Sequence, residues 1–194
     1  MLFEETKITG LLLAQLQPIV DDRGFFARSY CETTFRNRGL NTSWPQCNLS
    51  HNEHSNTLRG LHFQAPPKAE IKWVRIATGS AFIAVVDLRP NSPTFKLIDT
   101  FILNADKPSS LYIPAGLAYG FQTLEPNTDV FYQMSTDYYP KLAGGIRWDD
   151  PDLNIAWPLN DPLLSERDQS LPSLSEFLKN QKSQPAWTTH PIIK

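Results

Sequence analysis

The chain has 194 residues, 41% apolar and 20% charged, which suits one globular domain with a sizeable core and excludes a disordered chain. Eighteen Lys and Arg against 20 Asp and Glu leave a net charge of -2, so the overall charge draws the protein neither to nucleic acid nor to a membrane. An anionic ligand must therefore be met by a local cluster of cations.

Residues 1–20 alternate weakly about Leu11, Leu12 and Leu13 and predict one or two strands. Asp21-Asp22-Arg23-Gly24 is a turn signal, and Gly24 to Tyr30 is a strand candidate behind it. Cys31 to Arg38 suits a short helix that buries Phe35 and stops at Gly39. Asn41 to Asn56 is polar and reads as irregular, with a short strand at Gln46 to Ser50. From Leu58 the strand signals strengthen: Ile71 to Ile76, Ala81 to Leu88, Phe95 to Ile102, Ser110 to Ile113, Tyr119 to Leu124 and Val130 to Ser135. Ala81 to Leu88 is nearly all apolar and predicts burial on both faces. Turns such as Thr78-Gly79-Ser80 and Pro114-Ala115-Gly116 separate these segments. Their close spacing, punctuated by 16 Pro and 9 Gly, argues for an all-β sandwich or barrel.

Beyond Trp157-Pro158 the character changes. Ser173 with Glu176 is a capping box, and Leu174, Phe177 and Leu178 form the apolar face of a short helix. The tail after Gln181 holds Pro185, Trp187 and Pro191 and reads as loosely packed. With no repeat and no linker, one domain is expected over the whole chain, with a barrel core over about residues 10–158 and a helical segment and tail after it. Cys31 and Cys47 make no disulfide framework, no secretory signal precedes them, and the apolar run Gly10 to Ala14 is far too short for a bilayer. The expected compartment is the cytoplasm.

Arg59-Gly60-Leu61-His62-Phe63-Gln64 puts an imidazole near a fixed positive charge. Strand alternation puts Lys72, Val74 and Ile76 on one face and Trp73 and Arg75 on the other. It also aligns Val130, Tyr132 and Met134. A base, an amine and a phenol in one pocket suit an anionic substrate with a proton to lose. The base and the phenol each have a plainer reading: a structural histidine and a core tyrosine. Asp168 gains a role only if its segment folds back over the barrel, where it can orient His62. His51, Glu53, His54 and His62 lack the His-x-His spacing of a metal-binding barrel, so no metal and no other cofactor is expected. A phosphate-cradling Gly-rich loop, a Gly-x-Ser-x-Gly elbow and a Cys-x-x-Cys pair are all missing from the sequence.

Several blocks come in order: Arg59 to Gln64, the Lys72 strand, Asp87 to Phe95, Ile113 to Gly116, Gly120-Phe121, Tyr132 and Gly145 to Pro151. Together they resemble the dTDP-4-dehydrorhamnose 3,5-epimerase family from about Gly10 to Leu171. The resemblance implies a metal-free cupin jelly roll, usually a homodimer, acting on a nucleotide-diphospho-4-keto-6-deoxy sugar. It makes His62 the base, Asp168 its orienting partner, Tyr132 the acid and Lys72 the group near the C4 oxygen. It makes Arg59 and Arg23 diphosphate contacts, with Arg23 and Phe26 reaching the neighbouring site. Phe26, Gln46 and Asn48 fall where the family binds the nucleotide, and Tyr138 and Arg167 are assigned likewise. Two substrate-site positions depart from many members: Tyr119 replaces a histidine, and Arg28 replaces a glutamate that contacts the base. The alternatives are a single-centre epimerase, one acting on a CDP- or GDP-linked keto sugar, a non-catalytic sugar-nucleotide-binding cupin, and a metal-dependent cupin oxygenase.

Overall fold

The computed structural model describes residues 1–180, so the tail expected after Gln181 lies outside the described residues. Strands β1 (Leu2–Glu5) and β2 (Leu12–Gln15) are followed by a two-stranded arm, β3 (Ile19–Asp21) and β4 (Gly24–Phe26). Helix α1 (Glu32–Arg36) and strand β5 (Gln46–Asn52) come next. Then follow β6 (Leu58–Gln64), β7 (Lys72–Thr78), β8 (Ser80–Asp87), β9 (Ile98–Asn104), β10 (Ser109–Ile113), β11 (Leu117–Thr123) and β12 (Thr128–Met134). β13 (Ala143–Gly145), α2 (Glu166–Gln169) and α3 (Leu174–Asn180) complete the described chain.

Two antiparallel sheets face each other, in the orders β1-β2-β10-β7-β12-β5 and β13-β6-β11-β8-β9. The fold is mainly β, a cupin-type jelly roll. Between the sheets lie Val74, Ile76, Leu111 and Val130 from the first and Ile83, Val85, Tyr119 and Phe121 from the second. Two further layers cover the outer faces. Ala84, Val86, Leu61 and Phe63 pack under Ile146, Leu153, Leu174 and Phe177. Leu12, Trp73 and Tyr112 pack under Phe35 of α1 and Leu40. This explains β8: Ile83 and Val85 fill the barrel while Ala84 and Val86 meet the C-terminal segment, so both faces are apolar.

Several boundaries differ from the sequence expectation. The strand expected from Gly24 to Tyr30 ends at Phe26, because it belongs to an arm that no other sheet extends. The strand expected from Phe95 begins at Ile98. Asp87 is the cause: its carboxylate accepts hydrogen bonds from Arg89, Ser92 and Thr94 and holds the intervening chain in a compact turn, with Lys96 at a φ of 66°. The first barrel strand also starts at Leu2, ahead of residue 10.

The C-terminal segment is stitched to the barrel by main-chain bonds. Leu61 and Ile146 exchange hydrogen bonds of 3.1 and 2.9 Å, and Thr57 forms a parallel bridge with Leu163. The capping box at Ser173 and Glu176 forms, and Asp150 accepts from the Leu174 amide at 2.7 Å.

Candidate active site

A cavity of about 440 Å³ opens between the two sheets, lined from both. Simple alternation would put Arg59 and His62, three residues apart, on opposite faces of β6. Both line the cavity, because β6 is irregular between them. His62 pairs with Tyr119 and Arg59 with Phe121, so β6 takes three steps where β11 takes two. Gly60 absorbs the extra residue at a φ of 126°, and a Cβ there would sit 2.5 Å from the Gly120 Cα. Only glycine suits that backbone and that clearance.

Behind His62, the bridge at Leu163 and the short helix α2 fold Asp168 onto the strand. Ser165 caps α2 by accepting from the Asp168 amide at 3.1 Å. The Asp168 carboxylate, buried, meets His62 Nε2 at 2.5 Å. Burial works to raise the Asp168 carboxyl, but the His62 hydrogen bond and charge, with Ser165, outweigh it and hold it below the ordinary aspartate value. An ionised Asp168 offers only acceptors, so a neutral His62 donates from Nε2 and keeps its lone pair on Nδ1.

The opposite wall belongs to the other sheet. Lys72 on β7 and Tyr132 on β12 both line the cavity, and Lys72 pairs in register with Met134. Lys72 Nζ donates to Glu70, and both side chains are buried. Burial pushes the Lys72 amine down to about 7. Burial raises the Tyr132 phenol, and the Arg59 charge and Asn48 draw it back only in part. Tyr119 lies on the His62 wall, and burial with Tyr132 nearby raises its phenol well above the usual value. Its hydroxyl has no hydrogen-bond partner among the described residues.

Polar side chains ring the cavity. Asn52, buried and fixed by the Ser50 and Thr128 carbonyls, accepts from Arg59 Nε at 2.9 Å. Gln46 and Asn48 bond each other at 3.2 Å and contact the Met134 thioether. Gln46 Oε1 accepts from the Tyr138 amide at 3.0 Å, and Arg167 of α2 completes the ring. Gln64 ties the neighbouring loops together through the Lys68 and Asp137 carbonyls and the Tyr139 amide. Arg23, Phe26 and Arg28 do not line this cavity; Arg23 and Phe26 stand on the exposed β3–β4 arm and Arg28 just after it. Sequence reasoning missed Glu70, although its place two residues before Lys72 is the spacing of one strand face.

Among the described residues no three His, Cys, Asp or Glu side chains gather as a metal site. His51 instead pairs with Asp129 at 2.7 Å. The family described as dTDP-4-dehydrorhamnose 3,5-epimerase matches residues 5–176. This chain belongs to that family. Its relatives include the dTDP-4-dehydrorhamnose 3,5-epimerase of Salmonella typhimurium, 37% identical over 180 residues, 92% of this chain and 98% of that one. The crystal structure of the Bacillus anthracis epimerase with TDP and PPi bound superposes with a TM-score of 0.86 at 40% identity, covering 89% of this chain and 98% of that one. The Legionella pneumophila epimerase in complex with dTDP-4-keto-L-rhamnose gives 0.88 at 30% identity, covering 96% and 98%. The epimerase family thus accounts for the barrel and nearly the whole described chain.

Proposed function

We propose that the protein inverts C3 and C5 of dTDP-4-keto-6-deoxy-D-glucose by removing and returning protons through an enolate. The observation that carries this reading is an Asp168-held imidazole on one sheet facing a phenol and an amine on the other, across a cavity of sugar size. Protons on C3 and C5 are acidic because C4, between them, is a ketone. His62 Nδ1 takes the proton, and the C–H electrons move onto the C4 oxygen. Lys72 meets that oxygen with positive charge, and one such preorganised donor contributes about 3–4 kcal/mol. The Tyr132 hydroxyl returns a proton to the carbon from the other wall and the electrons fall back from oxygen; solvent then takes the imidazolium proton and reprotonates the phenolate before the second carbon reacts. Removal at one face and return at the opposite face inverts the centre. Apolar side chains packed between the two sheets limit water around the carbanion.

Arg59, Gln46, Asn48, Tyr119, Tyr138 and Arg167 hold the nucleotide and diphosphate in this reading. The protein works as a homodimer in the cytoplasm, with Arg23, Phe26 and Arg28 serving the partner's cavity. The arm supports the dimer: Ile19, Val20, Phe25 and Phe26 are 70%, 73%, 52% and 68% exposed, an apolar strip that calls for a cover. Among the described residues no helix is long and apolar enough to cross a membrane.

Proton NMR in deuterium oxide tests the reaction. Incubated with dTDP-4-keto-6-deoxy-D-glucose, the protein is expected to exchange and invert both C3 and C5. His62→Ala is expected to bind dTDP normally and to lose at least about 10²-fold in exchange, the usual weight of a general base. No exchange at either carbon overturns the reading, and inversion at one carbon reduces it to a single-centre epimerase.

A further inference from the structure

Among the described residues, the buried carboxylates of Asp87 and Asp150 are engaged through both oxygens. Asp87 accepts from Arg89, Ser92 and Thr94, and Asp150 from the Asp152 and Leu174 amides. Glu70 differs. Its side chain is 7% exposed, one oxygen accepts a hydrogen bond from Lys72 Nζ, and the other has no partner among the described residues. It lines the same cavity as His62 and Tyr132. A carboxylate this buried costs several kcal/mol to desolvate, so one bonded only to Lys72 serves Lys72.

The surroundings of Lys72 offer no other nearby carboxylate on the cavity wall. Its register neighbours are Ile113 on β10 and Met134 on β12. The remaining titratable groups on the cavity are Arg59 and His62 of β6, Tyr119 of β11, Tyr132 of β12, and the exposed Tyr138 and Arg167. None of these favours a charged amine at neutral pH. Burial alone pushes the amine toward its neutral form, which stabilises an enolate far less than an ammonium does. An opposite charge in contact works the other way.

We propose that Glu70 is a positioning residue of the epimerisation, which keeps Lys72 an ammonium and fixes it on the cavity wall where the sugar carbonyl is polarised. The inference rests on the epimerase reading and adds to it a residue that acts through Lys72.

The test is the pH dependence of deuterium wash-in at C3 and C5 for the wild type and Glu70→Gln. Without the carboxylate only burial acts on Lys72, so the variant is expected to fall progressively below wild type as pH rises from 6 to 8, while at pH 6 the two agree within about twofold. Binding of dTDP is expected to stay within about twofold. Superimposable pH profiles overturn the proposal. A direct reading comes from NMR titration of ¹³C-lysine-labelled wild-type protein, with the Lys72 signal assigned by its loss in Lys72→Met. Lys72 is expected to titrate above the value of about 7 that burial alone sets; a wild-type Lys72 titrating at or below it overturns the proposal even if Glu70→Gln does not fold. A wild type that exchanges neither carbon yet keeps Lys72 charged overturns the epimerase reading and not the Glu70–Lys72 pairing.

Discussion

An imidazole three residues beyond an arginine on a regular strand points away from it, yet here both reach one cavity, and each is held from behind. Asn52 fixes Arg59, and Asp168 fixes His62. The Asp168 contribution has a definite pH signature. Its folded-state value lies below the ordinary aspartate value, so its stabilisation is fully present above about pH 4 and is lost as pH falls through the depressed value. Asp168→Asn is expected to melt below wild type at pH 7, with the gap closing under acid conditions, and to lose about 10²-fold or more in turnover because the imidazole loses its preferred tautomer. Equal melting curves at pH 7 would count against an ionised Asp168. Lys72 and Tyr132 were legible in the sequence because residue type and strand parity agreed, and His62 by residue type and its neighbourhood alone. Asp168 was legible only through the family resemblance, since Ser165 to Gln169 reads locally as a solvated turn. Glu70 escaped because it precedes the strand proper, and a carboxylate two residues before a lysine reads as surface until both prove buried.

At the scale of elements, β6 governs the site through its irregularity. Gly60 allows the extra residue, and the close approach to Gly120 is what turns Arg59 inward. Gly60→Ala is expected to cost more than about 2 kcal/mol in denaturant unfolding, since alanine meets both a strained φ and a backbone clash. It should also weaken diphosphate binding before it affects the His62–Asp168 pair; unchanged stability and affinity would rule this account out. Most strands announced themselves by alternation. The boundary missed near Phe95 shows the limit of that signal: Thr94 to Leu97 is apolar enough for a strand, but the Asp87 carboxylate captures the segment as a turn. Local hydrogen bonding outcompeted hydrophobic pattern.

Across the whole molecule, two sheets are covered on both outer faces, one by α1 and its flanks and the other by the C-terminal segment. The β3–β4 arm has no such layer among the described residues. Val20→Asp with Phe26→Asp is expected to convert a dimer to a monomer by analytical ultracentrifugation. Mixing inactive His62→Ala with weakened Arg23→Ala protein is then expected to restore activity by subunit exchange, since one hybrid site regains both residues. No gain on mixing would confine Arg23 to its own subunit. The exposed strip was visible in the sequence only as a strand candidate, because isolated alternation cannot say what lies outside the chain.

The pairing of His62 with Asp168 spans 106 positions of sequence. A ribosome finishes the barrel walls long before it delivers the carboxylate that tunes them. The walls of the pocket and the group that holds its imidazole thus come from stretches far apart along the chain. A lesion in that distant helix would therefore reach the imidazole through its partner while leaving every barrel strand in place.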